Sequence, residues 1–206
     1  FDVYKLNVNT GDTTMIATNP GNILGWVTDH KGNLRIALES DGVNSTILYR
    51  DTPEQEFRKV ITTNFRESIS PLFFTFDNKM FYASSNLGRD KSAIVKFDPA
   101  TGKEVEVIYE NPDVDVEGLS FSKKRQVLTS ASFAKDKAEF VFFDEVSEKR
   151  YNRLKREADA TGLATKNQVK SAQDYYENIV KLRLEFQTFK RELMEMTAPQ
   201  FGDFIK

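Results

Sequence analysis

Two unrelated short motifs recur along the first two-thirds of this chain at one spacing, and that limits the fold more than any other feature. Val3-Tyr4-Lys5-Leu6-Asn7 runs into Thr10-Gly11, and Ile94-Val95-Lys96-Phe97-Asp98 runs into Thr101-Gly102, 91 positions on. Ile47-Leu48-Tyr49-Arg50-Asp51 splits that interval into 44 and 47, and Phe140-Val141-Phe142-Phe143-Asp144 follows 46 beyond Asp98. A second series keeps the same beat: Leu34-Arg35-Ile36-Ala37, Met80-Phe81-Tyr82-Ala83 and Val127-Leu128-Thr129-Ser130, at steps of 46 and 47. β-Branched and aromatic runs fit a pleated surface, and the Asn, Asp and Gly clusters between them supply turns.

Several short strands in a unit of roughly 40–50 residues is the pattern of β-propeller blades. The alternative, a β-sandwich with similar hairpins, does not explain two motifs sharing one period. The fold class expected is mainly β, a partial propeller of about three blades over residues 1–146, followed by an α-helical region over 147–206. Strands are expected near 3–8, 34–38, 46–50, 72–76, 80–84, 93–97, 104–109, 126–131 and 139–143. Ile36, Phe74, Phe81, Val95, Leu119 and Phe142 are expected to be buried between blades. Three blades are fewer than the four to eight with which propellers close, so a sheet face and edge need cover.

The grammar changes at Val146. Eight of the ten glycines and five of the six prolines precede residue 147, and good helix formers follow. A short helix is expected near Val146–Ala160, with Thr161-Gly162 as a break. A heptad helix is expected over about 167–197, bounded by Pro199. Its seam is Ala172, Tyr175, Ile179, Leu182, Phe186, Phe189, Leu193 and Met196, spaced 3-4-3-4-3-4-3. Glu185 and Lys190 suit an interhelical pair, while Val180 and Leu184 widen the apolar surface. Such a stripe must pack on something: a second copy of the chain, the shorter helix or the open propeller.

Charge adds little about partners. The net charge is −2, with residues 147–206 carrying 12 Lys+Arg against 9 Asp+Glu and the front region correspondingly acidic. Nothing points to a nucleic-acid partner or a membrane: no apolar run approaches the ~18 residues of a membrane helix. Without cysteine there is no disulfide, thiolate zinc site or Cys nucleophile. The first residue is Phe1 and no signal-peptide pattern follows, so the sequence reads as an excised or processed piece.

Searches for chemistry return nothing that assigns a catalytic, cofactor-binding or metal-ligating residue. The spacing of a nucleophile elbow is met by Gly21-Asn22-Ile23-Leu24-Gly25, with Ile in the place of Ser. His30, the single histidine, lies in an Asp-His-Lys-Gly-Asn turn and reads as a solvated hairpin residue. Asp113-Val114-Asp115-Val116-Glu117-Gly118 resembles the opening of a calcium loop, but the twelfth position is Lys124, not Glu. It reads instead as a half-buried strand entering a turn at Gly118. Lys149, Arg150, Arg153, Lys155 and Arg156 read as a solvated helix face.

The stretch from Pro71 to Phe133 carries a family resemblance. Asn86-Leu87-Gly88-Arg89-Asp90-Lys91 followed by Phe97-Asp98-Pro99, with Asp41-Gly42-Val43-Asn44 and Leu48-Tyr49-Arg50-Asp51, resembles the N-terminal propeller of bacterial prolyl oligopeptidase-type serine peptidases, the acylaminoacyl- and dipeptidyl-peptidase-like group. The resemblance covers residues 1–146; the heptad segment matches nothing in that family. It implies a non-catalytic, substrate-gating lid whose partner is a hydrolase domain carrying the whole catalytic triad, with a residual role in protein or peptide contact. The alternative is a scaffold protein that self-associates through its helical tail.

Overall fold

The computed structural model describes residues 1–160, and the chain divides into two compact units, Phe1–Ser147 and Glu148–Lys206. The described part of the first unit is a succession of four antiparallel sheets in chain order. Strands β1 (Val3–Leu6) and β2 (Thr13–Ala17) pair alone. The second sheet is β3 (Ile23–Thr28), β4 (Leu34–Ser40), β5 (Ser45–Tyr49) and β6 (Arg58–Thr63). The third is β7 (Ile69–Phe74), β8 (Phe81–Ser85), β9 (Ala93–Asp98) and β10 (Lys103–Tyr109). The fourth is β11 (Val116–Ser122), β12 (Val127–Ala134) and β13 (Ala138–Phe142), and helix α1 (Glu145–Ala160) follows.

Each strand pairs with its neighbour in sequence, so the repeat maps directly onto the sheets. β3, β7 and β11 start at residues 23, 69 and 116, which are 46 and 47 apart. The first motif series falls on β1, β5, β9 and β13, and the second on β4, β8 and β12. Where about three units were expected there are four sheets, of which two have four strands; the extra one is the β1–β2 hairpin.

Local chemistry explains how equivalent strands diverge. At the end of β9, Asp98 accepts hydrogen bonds from the Ala100 N–H (2.8 Å) and the Thr101 hydroxyl (2.9 Å), and Gly102 takes φ +68° to complete the turn. Asn7 and Gly11 build the same turn after β1, with the Gly11 N–H donating to the Asn7 carbonyl at 2.8 Å. Asp144 follows β13 at the equivalent place, but position 148 is Glu, which resists positive φ. The Asp144 carboxylate instead accepts from the Ser147 N–H at 2.8 Å and caps α1.

The main core lies between the two four-stranded sheets. Ile36, Ile47, Tyr49, Ile69, Phe74, Phe81, Ala83, Ala93, Val95 and Phe97 form one cluster. Alternation along β9 sends Val95 and Phe97 into it, while Ile94 joins Val116 and Ala131 in a second cluster toward the fourth sheet. Of the residues expected inside, Ile36, Phe74, Phe81 and Val95 are buried. Leu119 and Phe142 are only half-buried, because the second cluster under their sheet is small.

Three strands escape the sequence reading, and the strand read over the acidic run is shifted. β2 and β6 are edge strands with largely polar or exposed residues, and β3 and β11 each contain a glycine that interrupts the pattern. β11 also corrects the reading of the acidic run: Gly118 lies inside the strand, not at a turn. A side chain there would meet the Ser132 Oγ at 2.8 Å, so Gly permits a close approach of β12. β7 starts earlier than expected, running through Pro71, which an edge strand with a register shift tolerates. The expected heptad helix and its seam, Ala172, Tyr175, Ile179, Leu182, Phe186, Phe189, Leu193 and Met196, lie outside the described residues.

Candidate functional site

Three hairpins from three different sheets meet at one end of the first unit. In the β3–β4 hairpin, Asp29 Oδ1 accepts from the N–H groups of Lys31 and Asn33, both at 2.9 Å, and Gly32 adopts φ +83°. In the β7–β8 hairpin, Asp77 Oδ1 accepts from the Thr75 hydroxyl at 2.5 Å and the Lys79 N–H at 3.1 Å, with Asn78 at φ 58°. Gln126, at φ 52°, turns the chain from β11 into β12.

His30 joins them. Its N–H donates to Asn78 Oδ1, and its ring Nε2–H donates to the Phe74 carbonyl, both at 2.9 Å. The imidazole stacks on Phe76 at 5.4 Å with a 15° interplanar angle, and meets Phe121 edge-on at 5.7 Å. Phe121 in turn lies 4.2 Å from Phe73, between ring centres. The residue read as a solvated hairpin histidine is therefore half-buried in an aromatic joint between sheets. Only tertiary packing supplies the Phe76 and Phe121 rings, which stand 46 and 91 positions away along the chain. Beside the joint is a recess of about 290 Å³ lined by His30, Lys31, Phe76, Asn78, Lys123 and Gln126.

Beneath these hairpins Arg35 is a buried cation. It faces Asp29 at 3.4 Å, donates from Nε to the Arg50 carbonyl at 2.6 Å, and bonds the Tyr49 hydroxyl. Its guanidinium also lies over the Tyr49 and Phe74 rings, at 5.1 and 5.3 Å. Burial pushes the Asp29 carboxyl upward, but hydrogen bonds from Asn33 and Lys31 and the charge of Arg35 outweigh it and hold it below the ordinary carboxylate range.

At the opposite ends of the strands, Arg89, Asp90, Lys91, Glu110, Asn111 and Pro112 line a recess of about 510 Å³. Arg89 forms a two-point ion pair with Glu104, at 3.0 and 2.8 Å, and that bonding raises its pKa. Ser85 donates to the same carboxylate at 2.6 Å. This serine is fully buried and its carboxylate is held by Arg89, so the group braces the β8–β9 turn and presents no nucleophile. A third recess, about 330 Å³, lies between the second and third sheets, with Leu24, Val43 and Phe65 exposed around it.

Among the described residues no three His, Cys, Asp or Glu side chains come together as metal ligands would. The acidic run is dispersed: Asp113 pairs with Lys135 at 3.0 Å, and Asp115 accepts from the Ser92 N–H at 2.7 Å. Lys149, Arg150, Arg153, Lys155 and Arg156 are exposed on α1, where Arg153 faces Glu157 at 3.7 Å. No described helix is long and apolar enough to cross a membrane.

Comparison with known proteins gives a distant similarity. No family model matches the chain. Over 126 residues it is 29% identical to dipeptidyl aminopeptidase BIII of Pseudoxanthomonas mexicana. The match covers 57% of this chain and only 17% of that protein, so the similarity is to part of a much longer peptidase.

Proposed function

We propose that this chain is a partial β-propeller related to the non-catalytic lid of prolyl oligopeptidase-type peptidases, and that it makes contact with peptide or protein and does not hydrolyse it. The observation that carries this reading is the agreement of two independent signs. Antiparallel sheets succeed one another at 46–47 residues, and the sequence is similar to part of a dipeptidyl aminopeptidase. Propeller blades are four-stranded meanders of this length.

The chemistry of the first unit favours a passive role. A Ser-His-Asp mechanism needs a histidine ring nitrogen free to take the nucleophile's proton and an exposed serine beside it. His30 is anchored through Nε2 on the Phe74 carbonyl and flanked by aromatic rings, and among the described residues no serine lines the recess beside it. The test is a dipeptidyl-p-nitroanilide assay on the purified chain. The expected result is no release above the uncatalysed rate. Turnover abolished by a single Ser→Ala substitution would overturn the proposal.

A further inference from the structure

The recess at the three-hairpin end differs from the others in its charge balance. Around the 510 Å³ recess Arg89 is bound to Glu104 and Lys91 to Asp90, so its cations are already matched. The 330 Å³ recess carries Glu39 and Glu67 and no cation. In the hairpin recess Lys31 and Lys123 are exposed, and neither has an acidic partner among the described residues. Of the carboxylates in these hairpins, Asp29 is buried and accepts hydrogen bonds at both oxygens, and Asp77 is exposed and accepts at Oδ1 from the Thr75 hydroxyl and the Lys79 N–H; neither pairs with Lys31 or Lys123.

We infer that this recess binds a carboxylate attached to a flat ring, as at the C-terminus of a peptide ending in an aromatic residue. Lys31 and Lys123 line the recess together with the stacked His30 and Phe76 rings, so its wall carries both positive charge and aromatic surface. Its volume, about 290 Å³, is at the lower limit of ligand pockets and fits a single aromatic amino acid. A phosphate would want backbone donors as well. Those of the hairpins are spent: Lys31 N–H on Asp29, Gly32 N–H on the Asp29 carbonyl, Asn78 N–H on the Thr75 carbonyl and Lys79 N–H on Asp77. Side-chain ammonium groups alone suit a single negative charge. This deepens the peptide-contact reading and rests on it for taking the ligand to be a peptide end.

The test uses the fact that His30 is the chain's single histidine, so its imidazole signals in an NMR spectrum report on the recess without ambiguity. N-acetyl-phenylalanine, its amide and inorganic phosphate would be titrated in turn into the full chain. The free acid should shift the His30 ring signals saturably, and the amide should bind at least several-fold more weakly. The exposed Lys31→Gln/Lys123→Gln double variant should lose about tenfold in affinity, as two solvent-facing ion pairs would. Equal binding of acid and amide, tighter binding of phosphate, or an unchanged affinity in the double variant would overturn the inference. Backbone amide signals separate the two levels of the argument. Shifts confined to other parts of the chain would overturn the recess assignment and leave peptide contact standing. No shift anywhere would count against both.

Discussion

Replacing Arg35 with Met tests how the second sheet holds a charge in its interior. The side chain is 10% exposed and its partner Asp29 only 3%, so both charges are largely out of water. Met keeps the length of the stem, so the main loss is electrostatic and not a cavity. Removing one partner of a buried pair costs roughly 3–5 kcal/mol when the other charge is left uncompensated. Asp29 would still accept hydrogen bonds from Lys31 N–H, Asn33 N–H and the Asn33 amide, which argues for the lower end, about 3 kcal/mol. The Arg50 carbonyl loses its 2.6 Å donor from Nε, adding about 1 kcal/mol. The Tyr49 hydroxyl loses its bond to Arg35 as well, and contributes less than that carbonyl. The sum, about 4 kcal/mol, is a large part of the 5–15 kcal/mol that stabilises a typical domain. Urea unfolding followed by Trp26, the single tryptophan, reads it directly, because Trp26 on β3 pairs with Ala37 beside this site. A cycle with Asp29→Asn should show a coupling of about 1–2 kcal/mol. A loss below about 1 kcal/mol with an unchanged urea slope, or no coupling to Asp29, would refute the assignment of Arg35 as a charge held by its neighbours.

Two further perturbations probe the turns. Gly102→Ala should destabilise by about 2–4 kcal/mol, since it combines positive-φ strain with overpacking: the new Cβ would lie 3.0 Å from the Val60 carbonyl oxygen of the adjacent sheet. Gly11→Ala, in the same Thr-Gly turn but with nothing within 4 Å, should cost only about 1 kcal/mol; equal losses in urea titrations would show that Val60 yields. Asp41 should titrate at about 2 by carbon-detected NMR, because its carboxylate accepts from the Asn44 N–H, the Asn44 side chain and the Val43 N–H. A folded-state pKa below the unfolded one places its contribution to stability above about pH 4 and removes it as the pH falls toward 2; an ordinary carboxylate titration would refute the turn geometry.

What neighbouring residues impose on one another was legible in the sequence. The 46-residue beat, the strands β4, β5, β8, β9, β12 and β13, and the change to helix after Asp144 all follow from runs of strand formers, from turn residues and from the presence or absence of glycine. The central buried residues Ile36, Phe74, Phe81 and Val95 followed from the same runs. The rest depended on which sheet lies against which. Edge strands β2 and β6 bury too little to carry a pattern, since one side of each has no strand to shelter it. Arg35, inside the apolar run Leu34–Ala37, looks like a solvent-facing interruption until Asp29, Tyr49 and the Arg50 carbonyl surround it. His30 reads as an exposed turn residue until Phe76 and Phe121 arrive from two other sheets. Gly11 and Gly102 end identical Thr-Gly pairs, yet only Gly102 has a neighbouring sheet against it. Turns and strands are set by atoms a few bonds apart, whereas burial, charge pairing and the shape of a recess are set by contacts that exist only once the sheets have packed.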